Sequence, residues 1–215
     1  MGPDDLRTVR RTVVALGYEQ NEPEARSFLQ HKDSVVRELA LGALHRMQSL
    51  TDADLEPALH DDDRLVRRRA AELGALHPGV DLAPLLADLE PVVVEMAVWA
   101  YGEREQVDDN TLHTIISLTT DHDDQLVREA GAAALGAIGD ERGVPAILRA
   151  CQDKPAVRRR AVLLSPHFPV QRSRQQSIPL SPIVIGKCAN QRKISDADRL
   201  AVVTQRLSPI TFARR

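Results

Sequence analysis

Residues 126–139 read LVREAGAAALGAIG, and the turn Asp140-Glu141-Arg142-Gly143 separates them from a second apolar run over residues 144–151. Written as V-R-x-x-A-A-x-A-L-G, the frame opens on Val127 and Arg128 and places Ala132, Ala134, Leu135 and Gly136 in its later positions. The same frame can be set on Val9, Val36, Val66, Val93 and Val157, so consecutive copies lie 27, 30, 27, 34 and 30 residues apart. A unit of this length is too thin to bury its apolar side alone and must stack on its neighbours. The predicted fold is therefore all-α, an α-solenoid of stacked antiparallel helix pairs. It has five to six repeats over residues 1–164, the N-terminal one partial.

Each copy of the frame supplies the second helix of a pair. Leu6, Val9, Val13 and Leu16 give the N-terminal half repeat one apolar face, and Gly17 is expected to end it. First helices are expected around residues 22–30, with Pro23 in the opening turn, from residue 52 with Pro57, from residue 81 with Pro84, over 108–119, and over 144–152. On the second helices the stripes Val36, Ala40, Ala43, Leu44 and Val93, Ala97, Ala100, Tyr101 keep to a single side. The pattern stops after residue 164. Prolines 166, 169, 179 and 182 break helices, residues 183–185 read as a short strand, and a last helix can be drawn over 197–207. Residues 165–215 thus form an atypical tail, read as a divergent cap or an unfolded arm.

Aromatic residues make up only 3% of the chain, and Ala, Leu and Val dominate the apolar set, a composition suited to close helix packing. The net charge of −3 conceals an asymmetry. The tail holds nine Lys/Arg against two Asp/Glu, which leaves 19 basic and 29 acidic residues in the array. An acidic array is a poor footprint for nucleic acid, so no nucleic-acid partner is expected. Two cysteines, Cys151 and Cys188, form no framework, and neither an apolar signal core nor a membrane-length apolar run is present. The expected compartment is a reducing cytoplasm, with no membrane.

The run Val144-Pro145-Ala146-Ile147-Leu148, the turn Gln152-Asp153-Lys154-Pro155, and Val157-Arg158 with Ala161 resemble the short HEAT-like repeats first named from phycobilisome bilin lyases. The resemblance covers residues 4–164 and is strongest over 121–164. It implies a right-handed stack in which the second helices line the concave side. Proteins of this kind include lyases, hydroxylases and plain scaffolds. The hydroxylase branch carries His-Glu metal ligands at the start of the second helices, where this chain has Arg37-Glu38 and Arg128-Glu129. Arginine keeps its proton and ligates no metal.

Asp33 and Arg37, Asp63 and Arg67, and Asp124 and Arg128 stand four apart across the start of a second helix. An aspartate there can accept from the first free N–H groups, and the arginine can join carboxylates of adjacent layers into a structural ladder. Val94 takes the arginine position in its copy, so the ladder should lapse there. His31, His60 and His122 share one turn and are read as residues favoured at a helix C-terminus.

Positions one and five after the arginine slot point away from the packing stripe and are the candidate partner-binding surface. They are Glu38 with Gly42, Arg68 with Glu72, Glu95 with Trp99, Glu129 with Ala133, and Arg159 with Leu163. Trp99, the only tryptophan, reads either as an interaction hot spot or as a side chain packed between layers. No nucleophile elbow, phosphate loop, dinucleotide fingerprint or zincin motif occurs, and neither cofactor nor metal is expected. The expected function is a non-enzymatic scaffold that binds a protein or peptide. The alternatives are a tetrapyrrole lyase-like or chaperone protein and a nucleic-acid-binding helical repeat.

Overall fold

The computed structural model describes residues 3–164; the tail, with the strand expected at 183–185 and the helix at 197–207, lies outside the described residues. The architecture is an all-α solenoid. A lone helix α1 (Pro3–Glu19) is followed by pairs: α2 (Glu22–Ser27), extended by a 3₁₀ turn Phe28–Gln30, with α3 (Ser34–Arg46), and α4 (Asp52–Leu59) with α5 (Arg64–Gly74). A 3₁₀ turn Ala83–Ala87 then precedes α6 (Pro91–Glu103), α7 (Asp109–Asp121) precedes α8 (Gln125–Ile138), and α9 (Val144–Ala150) precedes α10 (Pro155–Leu164).

The frame valines Val36, Val66, Val93, Val127 and Val157 are all buried, as are the small residues one turn later, Ala40, Ala70, Ala97 and Ala161. That stripe holds the second helices in one continuous row, α1 on α3, α3 on α5, α5 on α6, α6 on α8 and α8 on α10. The first helices are shorter. Only the 3₁₀ turn Ala83–Ala87 forms where a helix is expected from residue 81, and it ends at Asp88.

Gly17 does not end α1. It lies inside the helix, where a Cβ would stand 3.1 Å from the Cα of Ala43, so its place is set by the close approach of α3. Chain reversal falls instead to Gln20, at φ 60°, with the Asn21 N–H returning to the Leu16 carbonyl at 3.2 Å. Gln48, at φ 59°, ends α3 in the same way, with the Ser49 N–H on the Leu44 carbonyl at 3.0 Å. In α8, Gly131 replaces the usual alanine because a Cβ there would fall 2.2 Å from the Oγ1 of Thr119 on α7.

Candidate binding face of the second helices

The turns that open the second helices repeat one hydrogen-bond plan. Asp33, Asp63 and Asp124 cap α3, α5 and α8, accepting from the N–H groups of Val36 (3.1 Å), Leu65 (2.8 Å) and Leu126 (2.7 Å). Two residues before each cap, another side chain accepts the cap's own N–H. Asp61 does so for Asp63 (2.8 Å), Asp88 for Glu90 (2.9 Å), and His31 and His122 through Nδ1 for Asp33 and Asp124 (3.0 Å each).

The arginines reach those turn carboxylates, not the cap aspartates. Arg37 donates to Asp61 at 2.6 and 2.7 Å, Arg67 to Asp88 at 2.7 and 3.0 Å, and Arg128 to Asp153 at 2.6 and 3.0 Å. Each also donates back to two carbonyls of its own turn, as Arg67 does to Asp61 and Asp62 at 2.8 and 3.1 Å. Sequence reasoning named the arginines but not Asp61, Asp88 or Asp153. Their signal was available as an acidic residue just ahead of the next frame.

Two layers depart from the plan together. Where the next turn has His31, Arg10 pairs instead with the cap Asp33, at 3.0 and 3.1 Å. Where it has His122, the arginine slot holds buried Val94. His31, His60 and His122 each stand at the C-cap of a helical segment, as expected. The rings of His31 and His122 also accept the N–H groups of Asp33 and Asp124 through Nδ1. His60 falls one residue earlier and makes no such bond.

The opposite edge of the second helices forms the exposed face. Glu38, Arg68, Glu72, Glu95 and Glu129 are half-buried on it, while the side chain of Arg159 lies outside those described. Glu72 accepts from Arg69 at 2.8 Å, and Glu129 stands 3.8 Å from Arg160. Trp99 is 39% exposed, so its indole is not sealed between layers. Among the described residues, seven large apolar side chains are exposed, and three of them share this face: Leu65, Trp99 and Leu126. Leu65 and Leu126 precede the frame valine by one and Trp99 follows it by six, spacings that return to one side of a helix. The two leucines were missed because only two positions per helix were assigned to the face.

Arg68, Glu95 and Glu129 occupy the same frame position on α5, α6 and α8. Burial raises the Glu95 carboxyl above the usual carboxylate range; Arg68 opposes this, and the charges of Glu129 and Asp124 add to it. Beside it, Pro91, Asp121, His122, Asp123 and Asp124 line an open acidic notch. Arg104, also missed in sequence, lies over the Tyr101 ring, 5.1 Å from its centroid, and is held by three carbonyls. It donates to Gly74, His77 and Val80 at 2.8, 3.1 and 2.8 Å, and burial lowers its pKa.

Residues 80–165 match the family model of HEAT repeats. Over those residues the array is similar to HEAT repeats. No curated protein matches the chain. Among the described residues, no group of His, Cys, Asp and Glu could hold a metal ion, and no helix is long and apolar enough to cross a membrane. Cys151 is buried.

Proposed function

We propose that the HEAT-like array is a non-enzymatic scaffold that binds a protein or peptide across the exposed face of α5, α6 and α8. The observation that carries this reading is the partly exposed Trp99 on a face that also exposes Leu65 and Leu126. Aromatic anchors rimmed by charge supply most of the binding energy at protein interfaces. Within HEAT-like repeats, the V-R-x-x-A-A-x-A-L-G frame supports the short type named from phycobilisome lyases, with this face on the inner side of the stack. The Asp/Arg ladder of Asp33, Arg37, Asp63, Arg67, Asp124 and Arg128 is structural in this reading, and the binding contacts come from Glu38, Arg68, Glu72, Glu95, Trp99, Glu129 and Arg159.

The test is affinity capture from nuclease-treated native lysate with tagged wild type and Trp99→Ala side by side. A polypeptide retained by wild type and reduced at least tenfold on Trp99→Ala, with helical circular dichroism unchanged, supports the scaffold. Equal capture by both removes Trp99 from the interface. A coloured eluate without a polypeptide replaces the scaffold with the tetrapyrrole reading.

A further inference from the structure

Resting on that reading, we propose that the partner segment is cationic and amphipathic, with an apolar side on Leu65, Trp99 and Leu126 and a lysine or arginine against Glu95 and Glu129. The apolar half follows from exposure: Leu65 is 42%, Trp99 39% and Leu126 54% exposed, one on each of three successive second helices. A purely polar segment would leave that surface in water.

The charge half follows from what the array leaves uncompensated. The turn carboxylates Asp61, Asp88 and Asp153 each receive a guanidinium from the preceding layer. The turn before α8 receives none from α6, because Val94 stands in the arginine slot, so Asp123 and Asp124 keep the notch beside Pro91 acidic. Asp121, at its edge, accepts from the Thr120 hydroxyl at 2.7 Å and stands 3.5 Å from Arg149, both charged side chains being well exposed. Glu95 and Glu129 then place two like charges at equivalent positions of adjacent helices. Arg68 flanks one side, and Arg160 approaches Glu129 no closer than 3.8 Å. Among the described residues, no hydrogen bond or ion pair reaches the Glu95 carboxylate.

An incoming cation relieves this repulsion, and an arginine can also lie over the indole one turn along α6. The same charges oppose a polyanion. They also oppose a second copy docked face to face, which would set Glu95 and Glu129 against themselves.

Trp99 is the only tryptophan in the chain, so its emission reports occupancy of the face directly. The probes are a short peptide of alternating leucine and arginine, free of aromatics, and its glutamate counterpart of the same length, each titrated into the full chain. The arginine peptide is expected to shift Trp99 emission saturably, with an affinity that falls as salt is added, and the glutamate peptide to leave it unchanged. Glu95→Gln/Glu129→Gln should weaken the arginine peptide about tenfold, the equivalent of about 1.4 kcal/mol, with helical content retained. Equal shifts from both peptides, or from neither, overturn the cationic assignment. So does concentration-dependent self-association that buries Trp99. The scaffold reading fails separately, in the lysate capture, if wild type retains no polypeptide.

Discussion

A lysine at position 67 would keep the charge and lose the joint. The Arg67 guanidinium bridges both oxygens of Asp88 and two carbonyls of its own turn at once, a planar fork that an ammonium on a flexible stem cannot reproduce. Arg67→Lys should therefore cost about 1–3 kcal/mol, most of what Arg67→Ala costs. Urea unfolding of both variants checks this, and a lysine variant as stable as wild type would show that charge alone suffices. The same carboxylates set the response to acid. A hydrogen bond from Arg10 holds Asp33 low, the Ser34 hydroxyl and Leu65 N–H hold Asp63 low, and Arg128 holds Asp153 low. Arg142 brings Asp140 to about 2. Because the folded values are depressed, their stabilisation is fully present above the unfolded carboxylate pKa of about 4 and is lost as pH falls through the folded values. The thermal midpoint should drop steadily from about pH 5 to about pH 2. Glu95 works against this trend, since burial raises its pKa and protonation relieves it. A midpoint flat over that range would mean that these bonds add nothing to folding.

Between elements, the arginine slot of one second helix finds its carboxylate in the turn of the next. Arg37, Arg67 and Arg128 meet Asp61, Asp88 and Asp153, while Val94 meets a turn that carries His122. Val94→Arg alone should destabilise the array, since the site is buried and His122 stands where Arg37 and Arg67 find Asp61 and Asp88. Adding His122→Asp should recover stability, with a coupling of about 0.5–3 kcal/mol in a double-mutant cycle. Strictly additive effects would disprove the pairing. Helix ends are less legible at this scale. Gln20 and Gln48 hold left-handed backbone that composition assigns to glycine, and Gly17 is spent on a contact with Ala43 that lies 26 residues away in sequence.

Across the whole array, every helix pair leans only on its neighbours, so stability is carried by adjacent interfaces and thins toward the ends. Helix α6 is buried on both flanks, with Val93, Val94, Met96, Ala97, Val98, Ala100 and Tyr101 all inside. Hydrogen exchange followed by mass spectrometry should find the slowest amides in α5, α6 and α8 and the fastest in α1 and α10. Uniform protection from α1 to α10 would instead indicate a single all-or-none unit.

The repeat length, the buried valine and alanine stripe and the aspartate caps were legible in the sequence by itself, because each depends only on helical period and local capping chemistry. The carboxylates that the arginines reach, the ring bonds of His31 and His122, the carbonyl cradle of Arg104, the exposure of Trp99 and its union with Leu65 and Leu126 were decided by the tertiary structure. Those depend on how far one layer is offset and rotated against the next, and that offset arises from the fit of side chains some 21–30 residues apart, which no pattern inside a single repeat encodes.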